Sequence, residues 1–346
     1  MPKTYNGLFE KICTFENLYN AYLKARRCRR YRDEVLKFSR NVEEELLILQ
    51  EELKAGTYRT GWYRRFTIIV PKKREIFALP FRDRVVHHAL CTIIEPLFER
   101  KFIFDSYGCR TGKGQHSGSA RLVAFLRRAQ RVWDKVYCLK ADVSKFFPSV
   151  DHEVLKALIR RTIRCKRTLQ LIDEIIDSTP EPKGMPIGNL TSQLFANVYL
   201  NDLDHFAKEK LQSRFYVRYM DDFVLLHTDK KLLQRWYSDI REYLRNHLHL
   251  ELNIKTSVFP ISQGVDFLGY RTWPTHKLLR KRNIIGMKRR LKKLSGQYRN
   301  GKVTLETIRP VIASWLGHAK HANSHNVVKR VLGNVVFSRG QSAGKM

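Results

Sequence analysis

The chain is short of acidic residues and of the features that mark several common protein classes. Its 346 residues include 33 Asp and Glu against 65 Lys and Arg, a formal net charge of +32. It contains no run of about 18 apolar residues and no signal-peptide segment at its start, so we expect a soluble, cytoplasmic protein without a membrane partner. Its six cysteines include no C-x-x-C pair, which excludes a zinc ribbon and favours reduced thiols.

The excess of positive charge indicates a polyanionic partner. A charge of this size attracts nucleic acid in preference to a small acidic substrate. Half of the excess lies beyond residue 274, where 17 Lys and Arg accompany the single acidic residue Glu306. We interpret this tail as an element that follows a phosphate backbone. A ribosomal or scaffold-like RNA-binding protein would have the same composition, so charge alone leaves the function open.

Residues 106–114 form a basic segment rich in glycine that lacks the G-x-x-x-x-G-K-[ST] spacing of a nucleotide-binding P-loop. We interpret it as a loop that contacts the template RNA, with Arg110 and Lys113 as the contacting side chains. Earlier in the chain, the apolar stripe from Asn41 to Lys54 predicts a helix that ends at Gly56.

Several further elements follow from residue patterns. Apolar runs at 65–71 and 75–79 predict a hairpin with a basic turn at 72–74, and 83–98 predicts a helix. The pattern at 136–143 predicts a strand that ends on Asp142, followed by a helix at 152–164 with Ser149 or Asp151 as its cap. The Gly/Pro-containing segment 184–193 predicts a loop that runs into another helix.

Two acidic positions in these elements suggest chemistry. Tyr219-Met220-Asp221-Asp222 lies between the apolar runs 215–217 and 223–226, so Asp221 and Asp222 fall where a hairpin would turn. Adjacent carboxylates repel each other unless cations neutralise them. Together with Asp142 at a neighbouring strand end, they could hold divalent ions that bridge nucleotide phosphates. The alternatives are a solvated turn for the pair and a helix cap or salt bridge for Asp142.

The order of these segments resembles the reverse transcriptases from about Thr67 to Trp273. The segment Leu139–Ser149 is similar to the motif with the first catalytic aspartate, and residues 219–222 are similar to the Y-x-D-D motif. Lys255-Thr256 resembles a later palm motif, and Phe267-Leu268-Gly269-Tyr270 resembles the primer grip. The resemblance implies an α+β right-hand polymerase. Its expected parts are N-terminal helices (1–60), fingers (61–135), an antiparallel-sheet palm (136–274, with a helical segment at 153–184) and a basic helical thumb (275–346).

The resemblance also assigns roles to individual residues. Asp142 and Asp221 would bind two Mg²⁺ ions, with Asp222 beside them and the Val143 carbonyl assisting; Mn²⁺ is an alternative ion, and dNTPs are the substrates. Phe147, five residues after Asp142, corresponds to the aromatic residue that discriminates against a 2′ hydroxyl. The other residues expected at the nucleotide are Lys72 and Arg74 at the triphosphate, Ile187, Gly188 and Gln193 in the loop-helix motif, and Lys255 as a proton donor to pyrophosphate.

Within the family, the loop-helix segment is most similar to reverse transcriptases of bacterial and phage diversity-generating retroelements. These share Ile187-Gly188 and Ser192-Gln193, where most relatives carry Gln-Gly and Ser-Pro. A β-branched apolar side chain cannot supply the hydrogen bonds of glutamine, so looser base selection is implied. The resemblance further implies a template-repeat RNA copied with errors at adenines, an RNA/cDNA duplex, and a small basic multimeric accessory protein. The arginine cluster at 26–32 is a candidate contact surface for that protein.

Three alternatives remain open from the sequence. A group II intron maturase would share the motifs, although such chains commonly add splicing and endonuclease regions, for which we expect little room here. An RNA-dependent RNA polymerase would incorporate ribonucleotides, which Phe147 disfavours. A non-catalytic RNA-binding scaffold would not need three aspartates. His318, His321 and His325 fall at helical spacing in the tail, but no Cys or acidic ligand accompanies them, so we do not assign them a metal.

Overall fold

The computed structural model describes residues 4–69, 74–179 and 181–339. Four helices occupy most of the first 60 residues: α1 (Phe9–Ile12), α2 (Phe15–Ala25), α3 (Asp33–Arg40) and α4 (Val42–Ala55). The Thr14 hydroxyl caps α2 by accepting a hydrogen bond from the Asn17 N–H at 3.2 Å. Gly56 ends α4 in the left-handed conformation with φ +71°, as the sequence predicts.

A hairpin and two long helices follow: β1 (Arg64–Ile68), β2 (Arg74–Ala78), α5 (Phe81–Glu99) and α6 (Gln115–Val132). The two strands pair antiparallel with Phe66 opposite Ile76. The structure differs from the predicted basic turn at 72–74 in one respect: Arg74 is the first residue of β2 and not a turn residue. Lys72 and Lys73 lie outside the described residues.

The central sheet is formed by β3 (Tyr137–Asp142), β4 (Phe215–Tyr219), β5 (Asp222–His227) and β6 (Ser257–Pro260). Its order is β4-β5-β3-β6, and every pairing is antiparallel. Alternate strand residues enter different cores, since Leu139 and Ala141 join the large core and Cys138 joins a second core on the other face. Leu122 and Leu126 of α6 cover that second face.

Helices fill the large core beneath the sheet: α7 (Phe146–Ser149), α8 (His152–Arg160), α9 (Lys166–Ile176), α10 (Leu190–His205) with a π-helical turn (Phe206–Lys210), and α11 (Lys230–Leu248). Asp151 caps α8, as expected. The helix ends at Arg160, four residues earlier than expected, because the chain leaves it to pair with the N-terminal segment. Tyr5 donates to the Thr162 carbonyl at 3.0 Å and accepts from the Arg164 N–H at 2.9 Å.

A third antiparallel sheet and three helices complete the described chain: β7 (Val265–Phe267), β8 (Tyr270–Thr272), β9 (Lys277–Leu279), α12 (Lys281–Arg299), α13 (Leu305–Ala319) and α14 (His325–Gly333). The helices form a small core around Leu291, Trp315 and Val331, which Tyr270 of β8 and Leu279 of β9 also enter. Strand β9 lies beyond residue 274 but pairs with β8, so the sheet crosses the expected palm–thumb boundary. The proposed domain limits stay a prediction.

The architecture confirms the α+β class, since it combines helices with sheets whose strand pairings are all antiparallel. Across the described ranges, no helix combines the length and the apolar character needed to cross a membrane. All six cysteines are free thiols.

Candidate active site

The Tyr-Met-Asp-Asp segment forms the predicted hairpin between β4 and β5, with Tyr219 opposite Asp222. Met220 turns the chain with a positive φ of +54°. The turn rests against the glycine-rich loop, because a Cβ added to Gly108 would lie 2.6 Å from Met220 Cγ and 2.7 Å from Met220 N. Only glycine permits this approach of the loop to the turn.

The strand pairing brings the three aspartates to one end of the central sheet. Asp142, the last residue of β3, lies directly opposite Asp222, the first residue of β5. The Val143 N–H donates to the Asp221 carbonyl at 3.0 Å, which fixes the turn against the end of β3. Directly opposed residues of an antiparallel pair share a face of the sheet, so residues 80 positions apart in sequence become neighbours.

The carboxyl of Asp221 lies in an environment that disfavours its charge. Burial raises its pKa above the usual range, and the charge of Asp142 raises it further. The charges of Arg74 and Lys140 oppose this shift. Asp142 and Asp221 are therefore an electrostatically coupled pair, and a cation between them would relieve the repulsion.

Asp222 has a different partner. Lys140 lies two residues before Asp142 on β3, and its Nζ forms an ion pair with Asp222 Oδ1. The same Nζ lies 5.8 Å from the ring centre of Phe267. Burial lowers the pKa of Lys140 to about 8, against the raising effect of Asp142. The charge of Asp222, the second aspartate of the motif, is thus neutralised by Lys140.

The arrangement offers two carboxylates as ligands for a divalent ion. Within the three described ranges, no group of three His, Cys, Asp or Glu side chains is placed to hold a metal ion. Mg²⁺ is commonly bound through one or two carboxylates, with water and substrate phosphates completing its shell. Asp142 and Asp221 can supply these two carboxylates, whereas Asp222 is occupied by Lys140.

A buried arginine beneath the turn was missed by sequence reasoning. Arg218 and Asp204 are both fully buried, and the guanidinium donates two hydrogen bonds of 2.6 Å to the Asp204 carboxylate. Arg218 also donates to the Met220 carbonyl at 3.0 Å and to the Ser106 hydroxyl at 3.1 Å. An arginine inside an apolar strand was the available signal, because a buried charge requires a partner.

Asn253 was also missed, although it lies two residues before the predicted Lys255. Its Nδ2 donates to Asp142 Oδ2 at 3.2 Å. Lys255 itself is exposed at the surface of the same loop.

Of the residues predicted to bind the nucleotide, those that the structure describes lie on several elements. The Phe77 N–H of β2 donates to the Ile187 carbonyl at 3.0 Å, and a Cβ added to Gly188 would lie 3.0 Å from the Phe77 carbonyl oxygen. The hairpin β1–β2 is thereby docked on the loop-helix motif. Phe147 is partly buried against the large core, and Gln193 is exposed beside a small cavity. Lys72 lies outside the described residues.

Two of the four residues predicted to form the primer grip have side chains buried within the protein. Phe267 is the last residue of β7 and Tyr270 is the first residue of β8, and the two are paired across the strands. Both side chains are fully buried in a core. Leu268 and Gly269 form the turn between them and are partly exposed. Gln115 at the start of α6 holds this turn, donating to the Leu268 carbonyl at 2.8 Å.

The prediction of Arg110 as a template contact is not supported. Its side chain is 5% exposed, and its guanidinium is used by the Glu99 carboxylate and by the Ile103 and Ser106 carbonyls. Lys113 is half-buried and lies along the surface of the loop: its Nζ donates to the Phe104 carbonyl and lies 4.3 Å from the ring centre of the exposed Phe104. Both cations stabilise the glycine-rich loop, which the sequence pattern could not distinguish from an RNA contact.

The tail histidines have ordinary partners. The Tyr270 hydroxyl lies 3.0 Å from His318 Nδ1, and the His321 ring stacks on His116 with 3.7 Å between ring centres. These contacts join α13 to β8 and to the start of α6.

Known proteins are similar to this chain in sequence. Residues 70–272, more than half of the chain, match the family described as "Reverse transcriptase (RNA-dependent DNA polymerase)". The chain is 28% identical over 287 residues to Protein YkfC of Escherichia coli (strain K12), which covers 70% of this chain and 73% of that protein. It is 23% identical over 302 residues to the Group II intron-encoded protein LtrA of Lactococcus lactis subsp. cremoris, covering 66% of this chain and 49% of LtrA.

Among solved structures, telomerase from Candida albicans, solved with a TWJ fragment of telomeric RNA, has a TM-score of 0.49 at 11% identity, covering 82% of this chain and 57% of that one. The family match confirms the predictions of a right-hand polymerase and of an RNA-directed DNA polymerase. The chain belongs to the reverse transcriptase family.

Proposed function

We propose that the chain copies RNA into DNA by nucleotidyl transfer at Asp142 and Asp221, with Mg²⁺ as the bound ion. The observation that carries this proposal is the pair of carboxylates where β3 ends against the β4–β5 turn, held there by the 3.0 Å hydrogen bond from the Val143 N–H to the Asp221 carbonyl; burial raises the pKa of Asp221, and the charge of Asp142 raises it further. Bound divalent ions would neutralise the primer 3′ oxygen and the leaving pyrophosphate. The protein's own contribution is positioning and charge.

The remaining residues would bind and select the incoming dNTP. The charge of Arg74 acts on Asp221, so this cation lies toward the carboxylates and could contact the triphosphate. Lys72 would act with it, and exposed Lys255 would reach the pyrophosphate as a proton donor. Phe147 would exclude a 2′ hydroxyl by packing under the sugar. The Val143 carbonyl would assist in holding the ion.

A substitution at Asp221 tests the reaction. Asp221→Asn keeps the shape of the side chain and removes its charge, so it should abolish Mg²⁺-dependent DNA synthesis on an RNA template while the protein still binds that RNA. Primer extension and filter binding measure the two properties. The same substitution at Asp202, which forms an ion pair with Arg161 at 2.9 Å on the surface, is the matched control. Full synthesis by the Asp221 variant would refute the mechanism.

For the biological role, we propose the reverse transcriptase of a diversity-generating retroelement. It would copy a template-repeat RNA with errors at adenines, and the cDNA would diversify a target gene. The support is the Ile187-Gly188 pair: its loop is fixed against β2 by the Phe77–Ile187 hydrogen bond. An apolar side chain there offers no hydrogen bond to a base or nucleotide. A small basic multimeric accessory protein and the RNA/cDNA duplex would be its partners.

The error spectrum tests this role. Ile187→Gln should lower misincorporation opposite template adenines, whereas Ile187→Val, which keeps a β-branched apolar side chain, should not change it. Sequencing of cDNA made from an RNA of mixed base composition gives both spectra. If the glutamine variant and the parent make the same errors, Ile187 does not determine fidelity.

The second candidate is a group II intron-type reverse transcriptase of ordinary fidelity. The similarity to LtrA favours it. A parent enzyme whose errors show no preference for template adenines would support this candidate over the retroelement.

A further inference from the structure

We propose that Asn253 is a positioning residue for catalysis: it orients the Asp142 carboxylate and couples it to the loop that carries Lys255. The proposal rests on the proposed function, in which Asp142 holds a divalent ion. Three observations support it: the backbone contacts of the loop, the side-chain contacts of Asn253 and the different partner of Asp222.

The loop before β6 runs antiparallel to the end of β3 and extends it beyond the sheet. The Asn253 N–H donates to the Asp142 carbonyl at 2.7 Å, and the Ser144 N–H donates to the Glu251 carbonyl at 2.8 Å. Between them, Val143 and Leu252 form an antiparallel bridge. The backbone of residues 142–144 is therefore fixed by this loop on one side and by the Asp221 turn on the other.

Both ends of the Asn253 carboxamide are used. Its Oδ1 accepts from the Lys255 N–H at 3.1 Å, and its Nδ2 donates to Asp142 Oδ2 at 3.2 Å. The Lys255 N–H can only donate, so it must face the amide oxygen, and the amide nitrogen must then face the carboxylate. One side chain thus sets the direction of the Lys255 backbone and of the Asp142 carboxylate together.

The two opposed aspartates receive different kinds of partner. Asp222 is paired with the cation of Lys140, which cancels its charge. Asp142 accepts a hydrogen bond from a neutral amide, which fixes one carboxylate oxygen without a direct ion pair, while the charge of Lys140 acts on it from a greater distance. This difference favours Asp142 over its cross-strand neighbour as the ion ligand.

Asn253→Asp separates this role from that of a simple loop cap. An aspartate still accepts the Lys255 N–H, so the turn is retained. It cannot donate to Asp142 and instead places a second carboxylate beside it. If Asn253 only caps the loop, this variant should have wild-type activity. If Asn253 is a positioning residue, the variant should lose activity. Asn323→Asp is the matched control, because Asn323 Oδ1 also accepts a backbone N–H, from Lys277 at 3.0 Å, but lies in the C-terminal region.

Steady-state DNA synthesis on an RNA template gives the first result. For Asn253→Asp we expect kcat to fall about 10- to 100-fold while KM for dNTP changes less than about threefold, since a small misplacement of a reacting group costs rate more than binding. Asn323→Asp should retain the parent kcat. If Asn253→Asp also retains it while Asp142→Asn abolishes synthesis, Asn253 is only a cap. If Asp142→Asn itself retains synthesis, the proposed function fails instead.

Thermal unfolding without metal gives a second result that does not depend on activity. Asn253→Asp should lower Tm through carboxylate repulsion, and adding Asp142→Asn should recover it by restoring one amide–carboxylate hydrogen bond. The double variant should remain inactive. This non-additivity supports the proposal even if Asn253→Asp alone does not fold. If Asn253→Asp lowers Tm by the same amount whether residue 142 is Asp or Asn, the proposal is overturned.

Discussion

The buried pair of Arg218 and Asp204 should control both the stability of the central sheet and the placement of the catalytic turn. Arg218→Met is the informative change, because methionine has a similar length and no charge. It removes the two 2.6 Å hydrogen bonds to Asp204 and the 3.0 Å hydrogen bond to the Met220 carbonyl. Asp204 then keeps only the Tyr216 hydroxyl, which donates to it at 2.7 Å.

The expected cost follows from burial. Both partners of the pair are 0% exposed, so Asp204 would be left as an uncompensated buried charge. Removing one partner of such a pair costs about 3–5 kcal/mol, against a total stability of roughly 5–15 kcal/mol for a typical protein. Burial alone would lower the pKa of Arg218, but the Asp204 carboxylate outweighs it and raises that pKa, so the arginine stays charged.

Urea denaturation followed by tryptophan fluorescence measures this cost. Arg161→Met is the matched control. Arg161 also pairs with an aspartate, since its Nη1 donates to Asp202 Oδ1 at 3.0 Å and to Oδ2 at 2.9 Å, but its side chain is 61% exposed. That variant should lose less than about 1 kcal/mol, because water screens an exposed pair.

A double variant separates stability from catalysis. Arg218→Met with Asp204→Leu removes the buried charge, so it should recover most of the unfolding free energy. It should not recover kcat, because the Met220 carbonyl still lacks its donor. The reasoning is refuted if Arg218→Met changes the unfolding free energy by no more than the Arg161 control does.

Three further changes test the site. Gly108→Ala should reduce kcat about tenfold or more, because the added Cβ would meet the Met220 backbone at 2.7 Å and displace the turn; unchanged primer extension would contradict this contact. Lys140→Met should leave Asp222 unpaired and lower the Mg²⁺ concentration needed for half-maximal rate, because the added negative charge attracts the ion, whereas Lys140→Arg should keep it near the parent value; a metal titration of initial rates decides. Phe147→Ala should increase the ratio of kcat/KM for ribonucleotides to that for deoxynucleotides about tenfold or more, and an unchanged ratio would show that another residue excludes the 2′ hydroxyl.

Local patterns predicted the elements that hold the site. The strand ending on Asp142 and the hairpin around Asp221 follow from apolar runs and turn residues a few positions long, and the pairing of Asp142 with Asp222 follows their expected convergence. The strand and the hairpin depend on near neighbours in sequence, which the sequence displays directly, whereas their pairing joins residues 80 positions apart.

The partners of the aspartates depend on distant residues. Lys140 and Asp222 are 82 positions apart, and Asn253 and Asp142 are 111 apart, so no periodicity links them. The misassignment of Arg110 has the same origin. A basic residue in a glycine-rich loop has one sequence pattern whether it faces RNA or a carboxylate of the same chain, and the position of Glu99 decides between them.

The strand β9 has a mechanical consequence for the C-terminal helices. Because β9 is hydrogen-bonded to β8, residues 277–279 are held in the third sheet and cannot serve as a pivot. The chain next passes Arg280, whose N–H donates to the Gly269 carbonyl at 3.3 Å and whose Nε lies 3.5 Å from Asp266 Oδ1. Any displacement of α12–α14 would therefore be transmitted to the turn at Leu268-Gly269, through this arginine and through the contact of His318 with Tyr270.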